Sequence, residues 1–315
     1  MSIETDAVKA IADSIERVII GKRNAVELVL ACFLAGGHAL IEDLPGVGKT
    51  TLAKTLARAL GLDYGRVQCT PDLMPSDVTG GLVLDRKSGD FAFRRGPVFK
   101  NVLLADEINR SSPKTQSSLL EAMEERQVTM DDTRYPLPVP FMVIATQNPV
   151  EFQGTFPLPE AQLDRFMMRI GLGYPDGVSE LAIAADAHAK PDDITPVCGR
   201  DQLEALMRAT GLVRLPGEVL AYAVSISAAT RTNPGLILGA SPRASKDLGR
   251  AAKALALVRG REYAIPDDVK ELAPFVLCHR LVPSAEARME GKTAQAIMAD
   301  ILKHAHVPAI GQTVA

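Results

Sequence analysis

One short segment constrains the fold of this chain more than any other. Residues 43–50, Asp-Leu-Pro-Gly-Val-Gly-Lys-Thr, lie between an apolar strand predicted for 38–42 and a helix predicted for 51–60. Glycines without a Cβ allow successive backbone N–H groups to close around a polyphosphate, and the following helix directs its positive N-terminal end at the same charge. The segment therefore predicts a phosphate-binding loop within a mostly parallel α/β sheet.

This loop supplies most of the predicted contacts to ATP. Lys49 can reach the β- and γ-phosphates, and the hydroxyl of Thr50 can bind Mg²⁺. Asp43 stands where the usual pattern has its first glycine, so its carboxylate is expected to lie near the phosphates. The other predicted nucleotide contacts in this segment are Leu44, Pro45, Gly46, Val47, Gly48 and Thr51.

A second strand carries the acids that phosphate chemistry needs. Residues 102–107, Val-Leu-Leu-Ala-Asp-Glu, are four apolar residues followed by two carboxylates. Transfer of a phosphoryl group to water requires Mg²⁺ beside the phosphates and a group that orients the attacking water. Asp106 is predicted to bind the metal and Glu107 to orient the water. Asn148, which follows a further predicted strand at 141–145, is expected to hydrogen-bond the γ-phosphate or the water.

Composition argues against several classes of partner and location. The chain has 35 Lys and Arg against 38 Asp and Glu, only 4% aromatic residues and no Trp. A basic field and stacking aromatics are what nucleic-acid binding needs, so we expect no nucleic-acid partner. The four cysteines are scattered, and the most apolar stretch, 26–41, is interrupted by Glu27 and two glycines. These features predict a reduced, cytoplasmic protein without a membrane span.

Periodicity divides the chain into two parts. Strands alternate with helices through residues 1–175, and residues 176–315 show helical spacing with Pro and Gly punctuation. We therefore predict a nucleotide-binding α/β core followed by a linker and a helical domain. Two β-hairpins are expected within the core, at about 80–96 around a turn at 87–90, and at about 126–138 around Asp131-Asp132.

The order of these motifs resembles the MoxR-type AAA+ ATPases along most of the chain. The resemblance implies an AAA+ αβα core, with the two hairpins as its inserts, followed by a helical lid domain. The similar segments are 41–50, 70–80, 106–110, 114–128, 145–149, 157–166 and 241–245.

The family resemblance also implies roles for residues that the motifs alone do not explain. Asn148 corresponds to the sensor 1 residue, Arg165 to the arginine finger that reaches a neighbouring subunit, and Arg243 to sensor 2 on the lid. Gly21 resembles a residue near the adenine.

Other interpretations of the arginines stay open from the sequence. Arg165 could instead pair with Asp164 at the surface, with Arg169 or Arg110 as the finger. Arg243 could be a solvated charge at a helix start.

As a function, the resemblance implies a homo-oligomeric, hexameric ring that remodels or activates a client protein. The client would be a von Willebrand factor A domain protein, and metal-cofactor insertion is one such task. Two alternatives are a DNA-handling AAA+ motor and an ATP-locked regulatory subunit. The hairpin at 126–138 argues against the motor, since two arginines there are balanced by two aspartates. The joint presence of Glu107, Asn148 and Arg165 argues against the locked subunit.

Overall fold

A computed structural model describes residues 2–84, 89–149 and 154–308. The helices are α1 (Ser2–Glu16), α2 (Arg23–Leu34), α3 (Lys49–Ala59), α4 (Pro75–Thr79), α5 (Pro113–Glu125), α6 (Glu160–Leu163), α7 (Gly177–Ala184), α8 (Arg200–Leu212), α9 (Gly217–Thr232), α10 (Pro242–Val258), α11 (Pro266–Leu277), α12 (Ala285–Met289) and α13 (Ala294–His304). The strands are β1 (Ala39–Glu42), β2 (Tyr64–Gln68), β3 (Gly80–Leu84), β4 (Phe91–Arg95), β5 (Val102–Asp106), β6 (Gln127–Met130), β7 (Thr133–Pro136), β8 (Met142–Gln147), β9 (Met168–Ile170), β10 (Leu236–Leu238) and β11 (Val282–Pro283).

The central sheet has five parallel strands in the order β2-β5-β8-β1-β9. Parallel pairing brings the strand ends into line, so Glu42 lies opposite Gln147 and Gln68 lies opposite Asp106. We call this side the C-terminal edge of the sheet. The segments that precede β1, β8 and β9 lie on the other side, the N-terminal edge. The predicted α/β class and mostly parallel sheet are confirmed.

Local signals in the sequence account for where several helices begin and end. Ser112 caps α5, since its Oγ accepts the Thr115 N–H at 3.3 Å, and Pro113 occupies the first helical position. A glycine marks the C-terminal end of α3. Gly61, just after this helix, has a φ of 64°, the left-handed conformation that favours glycine.

Both faces of the sheet are buried, which explains the nearly continuous apolar runs of its strands. On one face Leu40, Leu103 and Val143 pack with α5. On the other face Ile41 and Leu104 belong to a larger hydrophobic cluster that also includes α1, α2, α3, α8, α10 and α11. This cluster continues from the core into the helical part, so a domain boundary at 175 stays a prediction.

Both predicted hairpins are present as antiparallel pairs, β3 with β4 and β6 with β7. Phe93 of the first stacks on Tyr135 of the second with ring centroids 4.1 Å apart, so the two hairpins contact each other. Leu84 and Phe91 near the end of the first hairpin are exposed. Of its predicted turn, Lys87 and Ser88 lie outside the described residues.

Across the described ranges, no helix is both long and apolar enough to cross a membrane.

Candidate functional site

The loop between β1 and α3 has the open shape that an anion requires. Gly46 and Gly48 adopt φ values of 85° and 93°, which only glycine takes readily. A Cβ built on either glycine meets no atom within 4 Å, so space is free beside the backbone. The first turn of α3 begins directly after Gly48 and leaves its N–H groups available. The loop therefore fits a polyphosphate.

The Lys49 ammonium lies inside this loop. Its Nζ donates to the carbonyl oxygen of Asp43 at 2.7 Å. Partial burial lowers the pKa of Lys49, while the negative charges of Asp43, Asp106 and Glu107 act in the opposite direction. The nucleotide contacts predicted for residues 43–51 thus all belong to this loop or to the first turn of α3. Those not yet described are Leu44, Pro45, Val47, Thr50 and Thr51.

Asp43 has a role that the sequence did not show. Its Oδ2 accepts the backbone N–H groups of Leu172 at 2.5 Å and Gly173 at 2.7 Å, and its Oδ1 accepts that of Leu44 at 3.0 Å. The carboxylate is thus bound by the chain that follows β9. That it also lies near the phosphates stays a prediction. The amides just past β9 lack strand partners, and Asp43 supplies the acceptor.

Asp43→Ala is therefore expected to lower the free energy of unfolding by about 1–3 kcal/mol, because three backbone N–H groups lose a charged acceptor. Chemical denaturation measures this change. Asp63→Ala is the matched control, because Asp63 pairs with Lys100 at 3.3 Å at the exposed surface and should contribute under about 1 kcal/mol. Equal losses in the two variants would contradict the assignment.

Asp106 ends β5 and is only 9% exposed. The Thr146 hydroxyl donates to its Oδ1 at 2.7 Å, and Arg66 Nη2 donates to its Oδ2 at 2.7 Å. A carboxylate oxygen and the Thr50 hydroxyl are the kind of hard oxygen ligands that Mg²⁺ prefers. The donor set therefore fits the predicted metal.

Glu107 has a strained backbone at the position where chemistry is expected. Its φ of 57° and ψ of 51° are left-handed, which costs a non-glycine residue about 1 kcal/mol and is common at functional sites. The Glu107 N–H donates to Thr146 Oγ1 at 2.8 Å. Its Oε2 accepts from Gln68 Nε2 and from Arg110 Nη1, both at 3.1 Å. These contacts fix the carboxylate beside Asp106.

Sequence reasoning missed three residues of this site, Thr146, Arg66 and Gln68. Thr146 is fully buried near the end of β8 and connects Asp106 with Glu107. Arg66 and Gln68 lie on β2, next to β5 in the sheet. Polar residues at alternate positions near the end of a strand were the available signal, because residues i and i+2 share one face.

Two further predicted residues lie near the same edge. Asn148 follows β8 and lines a cavity of about 260 Å³ with Glu42 and Arg169. Gly21 has a φ of 70°, and a Cβ on it would lie 2.3 Å from Ser179 Oγ, so Gly21 packs directly against the start of α7.

The two predicted arginines lie elsewhere. Arg165 and Arg243 line one cavity of about 130 Å³ with Gly37 and His38, which directly precede β1. They are thus at the N-terminal edge, whereas the loop follows the C-terminal end of β1. At about 3.3 Å per residue, β1 alone separates the two edges by about 13 Å. The fold therefore does not bring these arginines to the loop of their own chain.

The Arg165 side chain forms no hydrogen bond or ion pair within the described part of the chain. The alternative pairing with Asp164 is wrong, because Asp164 pairs with Arg280. Arg169 pairs with Glu42 at 2.8 Å, and Arg110 pairs with Glu107.

Arg243 is also engaged within the chain. It pairs with Glu124 at 2.8 Å, and both side chains are partly exposed. The alternative of a solvated charge at a helix start therefore stays open for this residue.

Two family models match this chain. A family model described as ATPase family associated with various cellular activities (AAA) matches residues 38–168, and an AAA lid domain model matches residues 228–301. The first covers the loop, both strand acids, Asn148 and Arg165, and the second covers Arg243.

Similar proteins extend along nearly the whole chain. The YeaC protein of Bacillus subtilis is 48% identical over 94% of this chain and 93% of its own length. Chaperone MoxR1 of Mycobacterium tuberculosis is 39% identical over 94% of this chain and 81% of its own length. A crystal structure from Cytophaga hutchinsonii, described provisionally as an ATPase, superimposes with a TM-score of 0.89 at 38% identity, covering 98% of this chain and 96% of that one. From the loop, the strand acids, the lid and these relatives, we conclude that the chain belongs to the MoxR family of AAA+ ATPases.

Proposed function

We propose that this chain hydrolyses ATP with Mg²⁺ and that each site is completed by a second copy of the chain. Lys49 and the loop amides bind the phosphates, and Gly21 lies beside the adenine. Thr50 and Asp106 hold Mg²⁺, which would neutralise charge on the phosphates. Glu107 orients the attacking water, and Asn148 hydrogen-bonds the γ-phosphate or that water.

One observation supports the second copy above all others. The loop lies at the C-terminal edge of the sheet, whereas Arg165 and Arg243 lie at the N-terminal edge. Cations that stabilise the transferring phosphoryl group must contact its oxygens, which these arginines cannot do in their own chain. A neighbour placed head to tail presents its N-terminal edge to the loop. Such a contact is heterologous, and it closes into a ring when the rotation between neighbouring copies allows. We propose a ring of six copies, on the basis of the family resemblance.

We further propose that the ring acts on a client protein in the cytoplasm. One relative carries the name Chaperone MoxR1, which supports a chaperone-like role for this chain. The exposed Leu84 and Phe91 of the first hairpin offer apolar surface for a client. A von Willebrand factor A domain protein as client, and metal-cofactor insertion as the task, rest on the family resemblance alone.

The test is turnover as a function of assembly. Phosphate release is measured across protein concentrations while sedimentation reports the assembled fraction. Turnover per chain should rise with that fraction, because the arginines arrive only with a neighbour. Lys49→Ala should bind ATP at least 10-fold more weakly, since it loses a charged phosphate contact. Lys54→Ala is the control. Lys54 lies on the same helix as Lys49 and forms an exposed ion pair with Asp192, so this variant should bind ATP normally.

A monomeric preparation that releases phosphate as fast as the assembled form would overturn this proposal. Unaltered ATP binding by Lys49→Ala would do the same. Added DNA that raises turnover in a salt-dependent way would favour the DNA-handling alternative instead.

A further inference from the structure

A buried ionic cluster joins the two segments that carry Arg165 and Arg243. At its centre is Arg280, in a short 3₁₀ turn after α11, with 3% of its surface exposed. Its partners are Asp164, just before Arg165, and Asp247 on α10, which is 6% exposed. We propose that Arg280 is a positioning residue that holds Arg165 and Arg243 as one unit for the site of the neighbouring copy. This inference rests on the proposed function.

The first set of contacts fixes the backbone around Arg165. Arg280 Nε lies 3.3 Å from Asp164 Oδ1, and its Nη2 donates to the carbonyl oxygens of Asp164 at 3.2 Å and Phe166 at 2.8 Å. Arg280 therefore binds the residues immediately before and after Arg165. The Arg165 side chain is left without a partner among the described residues, as an arginine that serves another subunit requires.

A second set of contacts connects the same cluster to α10. Arg280 Nη2 also donates to Asp247 Oδ2 at 2.8 Å. Ser241 caps α10 by accepting the Ala244 N–H at 3.2 Å, and its hydroxyl donates to Asp164 Oδ1 at 3.1 Å. Arg243 follows Ser241 by two residues. The start of α10, and with it Arg243, is thus held against the segment that carries Arg165.

The cluster is better suited to geometry than to stability. Burying charged groups costs desolvation that their attraction often fails to offset, so such a cluster is a poor source of stability. A planar guanidinium can bind several acceptors in fixed directions, which a lysine ammonium on a flexible stem cannot do.

Arg280→Lys is the direct test because it keeps the positive charge and removes the planar guanidinium with its fixed donor directions. In the assembled protein we expect phosphate release to fall about 10- to 100-fold, the cost of misplacing a catalytic group by about an ångström. ATP affinity should stay within about twofold, because the two arginines stabilise charge that develops in the transition state and not in bound ATP. In a background that carries both Arg165→Ala and Arg243→Ala, Arg280→Lys should cause almost no further loss of phosphate release, since it acts through these two arginines.

Arg261→Lys is the matched structural control. Arg261 makes a two-pronged pair with Asp268, which is 1% exposed, elsewhere in the helical part. This variant should lower the melting temperature but leave phosphate release of the assembled protein unchanged. Ser241→Gly is the second variant if Arg280→Lys does not fold. Glycine is nearly as good a helix N-cap as serine, yet it loses the bond to Asp164. Its loss of turnover should likewise vanish in the background that carries both Arg165→Ala and Arg243→Ala.

Full turnover by Arg280→Lys, or by Ser241→Gly if it replaces that variant, would overturn the inference. So would equal losses in the presence and in the absence of Arg165 and Arg243 together, or an equal loss in Arg261→Lys. The proposed function fails separately, when Arg165→Ala itself keeps full turnover in the assembled protein.

Discussion

Arg165→Ala should reduce phosphate release by the assembled protein about 10³- to 10⁵-fold, the range that arginine fingers supply. Charge spreads onto the equatorial oxygens of the phosphoryl group during transfer, and a guanidinium stabilises it there. ATP affinity should change little, because this arginine stabilises charge that develops in the transition state and not in bound ATP. Arg208→Ala, which alters a largely exposed arginine on α8, is the control and should retain full turnover.

A mixing experiment tests which chain supplies this arginine. Arg165→Ala keeps the loop, and Lys49→Ala keeps the arginine, so each variant alone should be inactive. When the two are mixed and allowed to exchange subunits, an Arg165→Ala chain can lie beside a Lys49→Ala chain and form a complete site. Recovered phosphate release in the mixture would confirm action between copies. An inactive mixture with verified mixed assemblies would contradict it.

The second large effect is expected for Glu107→Gln. Loss of the group that orients the water should reduce phosphate release about 10²- to 10⁴-fold while ATP remains bound. Glutamine has nearly the same shape and can still contact Gln68, so the fold should be retained. Single-turnover phosphate release and retention of labelled ATP measure the two properties. Glu160→Gln, at an exposed residue of α6, is the control.

If wild type and Glu107→Gln released phosphate equally slowly, the chain would behave as the ATP-locked regulatory subunit. If the variant releases phosphate as fast as an active wild type, Glu107 does not orient the water. With ATP trapped, the variant also serves as bait for the client. Recovery of a metal-ion-dependent adhesion-type partner would support the proposed von Willebrand factor A client.

Features encoded by neighbouring residues could be predicted from the sequence. The Ser112-Pro113 start of α5 and the glycines of the loop are local signals, because the capping and the backbone angles depend on adjacent residues. The two hairpins follow from alternation around short polar turns. Asp106 and Glu107 were placed correctly because apolar residues directly before them mark a buried strand end.

Contacts between distant segments could not be predicted. Thr146 binds Asp106 from 40 residues away, and Asp43 binds amides 129 and 130 residues further along. Arg280 contacts the segment around Arg165 across 114 to 116 residues. A single sequence contains no signal for which polar groups meet after folding. These contacts depend on the order of strands and on how the helical part packs.

The larger hydrophobic cluster limits how the helical part can move against the core. Helix α10, which carries Arg243 in its first turn, packs against α2 of the core as well as against α11. Rotation of the helical part outward about a hinge would expose that shared apolar interior to water. The free-energy cost would be about 25 cal/mol for each Å² of apolar surface exposed. Sliding of packed helices by an ångström or two avoids this penalty. We therefore expect the conformational change that nucleotide drives to be a small sliding of α10 along α2.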